Sequence, residues 1–261
     1  MVGMLGCGCC EAPELCPGVD YLKTFTDDFS PDFKPDWIIS LDFSGNPAPL
    51  ESLIARDGVC SLKGRQTFAG NQQTSYGLAY IVGEKATISG KIESSFKLVN
   101  FSQDTLASGW NENARAGIGF WSPAESRQLW FEVIKIEALR VLDFNFRDFA
   151  YSQTSSNYNI QARLGITPQL GDKISLRLSD CVQDTFFANA VRVNTVTCLI
   201  NDTPVYSYTP QSPFLLRTCE FYAGLEMRQN RFLIPRSTTN VGLPFGNLPI
   251  VKVDDFTFES P

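Results

Sequence analysis

Histidine is absent from all 261 residues, and that gap alone removes a large group of mechanisms. Without an imidazole there is no Ser-His-Asp or Cys-His nucleophile system, no HExxH metalloprotease helix and no histidine-containing zinc site. Charge is scarce as well, at 19% of residues against about 25% in ordinary globular chains. The charge present runs acidic, with 22 Lys and Arg facing 28 Asp and Glu for a net charge of −6. A nucleic-acid partner is therefore not expected, because Lys and Arg on phosphates supply most of that affinity. An anionic membrane surface is disfavoured on the same ground. No apolar run approaches the roughly 18 residues of a spanning helix, so membrane insertion is not expected either. The first residues, Met1 to Cys7, lack the basic region and apolar stretch of a signal peptide. A place at a virion or cell surface would then require a non-classical route.

What the chain has in plenty is material for sheets. Hydrophobic residues reach 43% and aromatics 12%, including 20 Phe, which favours pleated structure over a helix bundle. The 19 Gly and 15 Pro punctuate it as many short strands and turns require. In 173 to 179, Ile174, Leu176 and Leu178 alternate with Lys173, Ser175, Arg177 and Ser179, the period-2 signature of a half-buried antiparallel strand. Leu142, Phe144 and Phe146 repeat the pattern against Asp143, Asn145 and Arg147. No helical stripe runs beyond about two turns and no fixed-period repeat is seen, so neither a major helix nor a propeller is expected. About twelve to fourteen strands fit one double-layered jelly-roll sandwich. The opening strand at 24 to 29 and the closing strand at 250 to 258 should share a region of one sheet, since a closed sandwich brings its termini together.

Eight cysteines divide unevenly: Cys7, Cys9, Cys10 and Cys16 crowd the start, while Cys60, Cys181, Cys198 and Cys219 are scattered. The scattered four read as buried thiols, with one long-range disulfide as the alternative. The clustered four allow reduced thiols on a tail, a disulfide knot or cross-link, or a soft-metal site, though CxCC does not match the spacing of zinc ribbons. Residues 1–20 carry almost no bulky apolar side chains and read as a Cys-rich N-terminal tail ahead of a sandwich domain at 21–261. A chain starting at Tyr21 is expected to melt within a few degrees of the full-length protein.

FTDDFS at 25–30 with Trp37 following, ARAGIGFWSP at 114–123, LWFEVIKI at 129–136 and VKVDDFTFES at 251–260 resemble, in pattern and order, the concanavalin A-like lectin/glucanase superfamily. Its laminin-G-like members are the nearest likeness. The resemblance implies an all-β, two-sheet antiparallel jelly-roll sandwich whose first and last strands lie near each other. It also implies a structural calcium, for which Asp28, Asp254 and Asp255 are the candidate ligands because hard oxygen donors suit Ca²⁺. The alternative is that these aspartates cap turns and keep sheet edges soluble. A weaker likeness, in the Cys-rich leader followed by such a sandwich, is to bacterial and phage-associated proteins and implies a virion or cell-surface role.

Glucanases of that superfamily carry Glu-x-Asp-x-Glu on one strand, two carboxylates about 5 Å apart. The corresponding stretch here is Glu132 to Glu137, with Ile134 at the orienting Asp and Lys135 intruding. Five positions apart on a strand, the two Glu point to opposite faces. They read as solvated strand residues, and no catalytic residue or enzymatic activity is expected. Trp110, Trp130 and Tyr151 with Asn145 and Arg140 are the candidate ligand-binding set, since aromatic platforms beside amide and guanidinium donors hold sugar rings. Core packing is the alternative for each of these aromatics. A long loop over 228 to 247 carrying Arg228, Arg231 and Arg236 is a candidate interaction loop, with a solvated loop as the alternative. The favoured function is a non-catalytic carbohydrate- or protein-binding surface, adhesion or virion component. Its partners would be a glycan or neighbouring subunits, a homo-oligomer included. A glycoside hydrolase or lyase of the same fold and a purely structural self-assembling subunit are the alternatives.

Overall fold

The computed structural model describes residues 24–35, 37–39, 53–62, 72–80, 91–101, 110–122, 127–136, 141–150, 160–186, 190–212, 214–217, 222–233 and 251–259. Its strands in the first half are β1 (Thr24–Asp27), β2 (Trp37–Ile39), β3 (Leu53–Arg56), β4 (Val59–Leu62), β5 (Gln72–Tyr80), β6 (Ile92–Phe101), β7 (Trp110–Ser122) and β8 (Arg127–Ile136). They continue with β9 (Val141–Ala150), β10 (Ile160–Arg163), β11 (Lys173–Ser179), β12 (Val182–Gln183), β13 (Ala190–Val193) and β14 (Thr195–Ile200). The last four are β15 (Thr203–Tyr208), β16 (Phe214–Arg217), β17 (Tyr222–Leu233) and β18 (Val251–Glu259). No helix occurs among the described residues.

Two antiparallel sheets form the sandwich. One runs β15-β14-β11-β6-β18-β4-β3, with β1 also paired to β18, and the other runs β10-β9-β8-β7-β17-β5-β2. A short sheet of β12, β13 and β16 stands beside them. The alternation read from the sequence decides which side chains fill the space between. Ile174, Leu176 and Leu178 of β11 meet Phe131 and Val133 of β8 and Phe144 and Phe146 of β9 in one buried cluster. Burying such side chains contributes about 1.5–3 kcal/mol each. The opening and closing strands pair directly, Thr24 with Glu259 and Asp27 with Phe256. Their junction is locked by Asp27, 1% exposed, which accepts from Phe29 N at 2.8 Å, Lys34 N at 3.1 Å and Trp37 Nε1 at 2.5 Å.

A second buried lock ties the two sheets together. Asp148 of β9 accepts from Arg127 Nε at 2.8 Å, Arg127 Nη2 at 2.5 Å and the Tyr208 hydroxyl at 2.9 Å. Burial, and then the neighbouring Asp148 carboxylate, push the Tyr208 phenol well above its ordinary range. A pKa raised on folding stabilises the protein below the unfolded value, about 10 for tyrosine, and that contribution is lost as pH climbs through the folded value. Tyr208→Phe is therefore expected to cost on the order of 1 kcal/mol at neutral pH. In urea titrations across pH 9–11 the variant should also lose less stability than the parent protein.

Cys60, Cys181 and Cys198 are free and buried, so the long-range disulfide alternative fails for these three; Cys219 lies outside the described residues. Burial raises all three thiols, Cys181 to about 11 with help from Asp180. Because the thiolate is the reactive form, none of the three should be labelled by a thiol reagent at pH 8 until the protein unfolds. Mass mapping of labelled peptides in native and urea-treated samples checks this. The Cys-rich tail at 1–20 lies outside the described residues.

One loop expectation is corrected. Arg228 and Arg231, placed in an interaction loop over 228 to 247, belong instead to β17, paired with Arg115 and Glu112 of β7, and residues 234–247 lie outside the described residues. The strand extends because 222 to 233 finds partners on both edges, β7 and β5, a long-range gain invisible in the local pattern. Arg236 lies outside the described residues.

Candidate active site

On the face of the seven-stranded sheet that points away from the core, ladder register assembles a polar group from four strands. Glu132 of β8 is opposite Gly117 of β7, and Gly117 is in turn opposite Glu226 of β17. The next row holds Trp130, Gly119 and Gly224, and the one after it Gln128, Trp121 and Tyr222. Along β9, Asn145, Arg147 and Phe149 stand opposite Glu132, Trp130 and Gln128.

Glycine inside a strand marks a close approach, and the two in β7 make the site. A Cβ on Gly117 would lie 2.9 Å from the Glu132 Cβ, and one on Gly119 would lie 2.3 Å from Trp130 Cε3. Their missing side chains open a trough between β8 and β17. Trp130 lies down in it, fully buried, its indole N–H donating to Gln128 Oε1 at 2.6 Å.

Across the trough Glu132 and Glu226 are both 0% exposed and on the same face. Glu132 Oε1 accepts from Arg115 Nη1 at 3.0 Å and Asn145 Nδ2 at 2.7 Å, while its Oε2 accepts from Arg147 Nη2 at 2.7 Å. The same Arg147 nitrogen donates to Glu226 Oε2. Two carboxylate oxygens sharing one donor can be no farther apart than two hydrogen-bond lengths laid end to end, about 5.5 Å. Two carboxylates and two guanidiniums balance in formal charge, which is how a buried ionic group survives desolvation. An aromatic wall adjoins it. Trp121 stacks on Tyr222 with centroids 5.3 Å apart, and the Arg147 guanidinium sits 5.0 Å over the Phe149 ring. Trp121, Phe149 and Tyr222 are half-buried, and Trp121 Nε1 has no hydrogen-bond partner among the described residues.

The structure brings together two of the residues singled out in the sequence, in changed roles. Trp130 is not an open platform but the buried floor, and Asn145 is a buried donor to Glu132. The aromatic rings that reach the surface beside them are Trp121, Phe149 and Tyr222. Trp110 begins β7, with its side chain outside the described residues, as are Tyr151 and Arg140. Glu132 is not solvated as expected but fully enclosed; Glu137 lies outside the described residues. Glu226 was missed as its partner, because 94 positions separate the two and only the shared ladder through Gly117 joins them. The alternating glycines of Ala116-Gly117-Ile118-Gly119 were the available signal.

Asp28 and Asp255 line one cavity on the other sheet, while the Asp254 side chain is outside the described residues. No group of three acidic or Cys side chains among the described residues is placed to hold a metal ion. Lys34, Lys97 and Lys173 line the same cavity as Asp27, Asp28 and Asp255, so no net negative charge gathers there to hold a divalent cation. Melting temperature should therefore be unchanged in excess EDTA; a fall would reveal a bound metal by mass action.

No family model and no curated protein sequence matches the chain. Solved structures do. An endo-acting O-glycanase by which members of the human gut microbiota initiate mucin breakdown superposes with a TM-score of 0.51 at 11% identity, covering 90% of this chain and 97% of that one. A laminarinase from Flavobacterium sp. UMI-01 gives 0.50 at 8% identity, covering 90% and 99%. The carbohydrate recognition domain of Emp47p gives 0.48 at 9%, covering 91% and 95%. The chain has the concanavalin A-like jelly-roll fold of the lectins and glucanases. The expectation of no enzymatic activity is corrected. Glycan-cleaving enzymes share this fold, and the same-face carboxylate pair whose absence had excluded catalysis is present as Glu132 and Glu226.

Proposed function

We propose that the protein is a glycoside hydrolase that lays a glycan across the outer face of the seven-stranded sheet and cleaves it between Glu132 and Glu226. The observation that carries this reading is the shared Arg147 nitrogen, which keeps one oxygen of Glu132 and one of Glu226 within about 5.5 Å of each other, as the about 5–5.5 Å carboxyl separation of a retaining mechanism requires. Glu132, receiving three N–H donors, is fixed as an acceptor on both oxygens and takes the nucleophile's role at the anomeric carbon. Glu226 protonates the departing glycosidic oxygen, then removes a proton from the water that releases the sugar from Glu132. Trp121 and Tyr222 offer a stacking wall beside the cleavage point.

The test is release of reducing ends from laminarin, mixed-linkage β-glucan and mucin O-glycans, with proton NMR of the first product anomer. Turnover with retained configuration is expected on at least one polymer. No turnover on any of them, or an inverted product, would overturn the reading.

A further inference from the structure

The outer face of the eight-stranded sheet, opposite the carboxylate pair, holds a cavity of about 570 Å³, within the range of small-molecule sites. Its floor is a row of hydroxyl side chains set by register: Ser95 of β6 is opposite Thr257 of β18, and Thr257 is opposite Thr26 of β1. The Ser95 and Thr257 hydroxyls lie 2.6 Å apart, so one donates to the other and the second keeps its proton for a ligand. A register shift between Asp254 and Thr257, with Asp255 at φ 51°, is the bulge that lifts the strand and opens the space.

The rim mixes donors and acceptors. Lys34 donates to Thr26 O at 2.5 Å, Lys173 donates to Asp202 at 2.8 Å, and Asp28 accepts from Ser30 N at 3.2 Å. An ammonium has three protons and a carboxylate about four lone-pair sites, so each retains capacity. Three lysines and three aspartates, Asp27 included, cancel in formal charge around the cavity, which selects neither a cation nor an anion. The two rings in the lining, Phe96 and Phe256, are 0% exposed and belong to the core, so no stacking platform is offered. A neutral ligand rich in groups that both donate and accept matches such a lining.

We infer that this outer cavity is a second binding site, taking a neutral sugar unit through its hydroxyls and separate from the Glu132–Glu226 face. It does not depend on the hydrolase reading, because it uses the other sheet and none of the same residues.

The experiment titrates the full chain with glucose, galactose, N-acetylglucosamine and the disaccharide laminaribiose, read by saturation-transfer NMR and by melting temperature. Saturable binding of at least one sugar is expected, unchanged in Glu226→Gln and weakened at least tenfold when Lys97→Met is combined with Thr257→Val. Should that pair fail to fold by circular dichroism, Lys173→Met alone must still weaken binding. No binding by any of the four sugars would overturn the site. So would binding lost in Glu226→Gln but kept in the outer-face variants, or a melting temperature raised by Ca²⁺ and not by sugar. Loss of polymer turnover with sugar binding intact would count against the hydrolase alone.

Discussion

Glu132→Gln and Glu226→Gln should each remove at least about 10²–10⁴-fold of turnover, the range that a positioned acid, base or nucleophile supplies. The two losses should differ in kind. With an aryl glycoside whose leaving group needs no protonation, the first step no longer depends on Glu226, so Glu226→Gln should recover that step as a burst of released aryl group and accumulate glycosyl-enzyme, the second step still lacking its base. Glu132→Gln should recover nothing, because its defect is the missing bond to the anomeric carbon. Both changes are isosteric, yet each takes a charge from a buried network in which removing one partner costs about 3–5 kcal/mol. Melting temperatures must accompany the rates, and a variant still folded at the assay temperature is the informative one. Wild-type turnover in both variants would remove the pair from the chemistry.

The sandwich was legible because burial imposes period 2 on strands that have one wet face. Ile174, Leu176 and Leu178 announce their inward direction from composition alone, and the twin acidic-aromatic strands at the two ends find each other as Asp27 and Phe256 do. The site was not legible for a related reason. Glu132 suggested a catalytic strand, but its local neighbour Glu137 is the only partner that spacing can propose, whereas the side chain it meets is chosen by register through β7 to β17. The aromatic reading failed in the same way. Trp130 looks like a platform until Gly119 provides a slot that lets it lie flat, while Trp121, one residue past Phe120, is the ring that stays half-exposed. Periodicity reports which face a side chain takes; it carries no record of which distant strand is alongside.

Gly119→Ala is the change with the largest expected structural effect, and it tests the trough directly. The added Cβ would meet Trp130 Cε3 at 2.3 Å and the Leu129 carbonyl oxygen at 2.5 Å. The first neighbour is a fully buried ring and the second is backbone on the adjoining strand, so neither yields cheaply. Overpacking costs typically about 1–3 kcal/mol and occasionally more, and two contacts this short put Gly119→Ala at the upper end or above. For a chain of this size each kcal/mol moves the melting temperature by roughly 2–4 °C, so a fall of roughly 6–12 °C is expected. Because the two clashes are distinct, adding Trp130→Leu should recover only part of it, the remainder belonging to the carbonyl, and the pair should be clearly non-additive. Catalysis follows the same geometry. β7 pushed away from β8 carries Gly117 with it and widens the gap between Glu132 and Glu226, so residual enzyme that is still folded should lose kcat more than it gains KM. A Gly119→Ala protein that melts like the parent would mean that Trp130 does not occupy the trough, and the placement of both carboxylates beside it would fall with that.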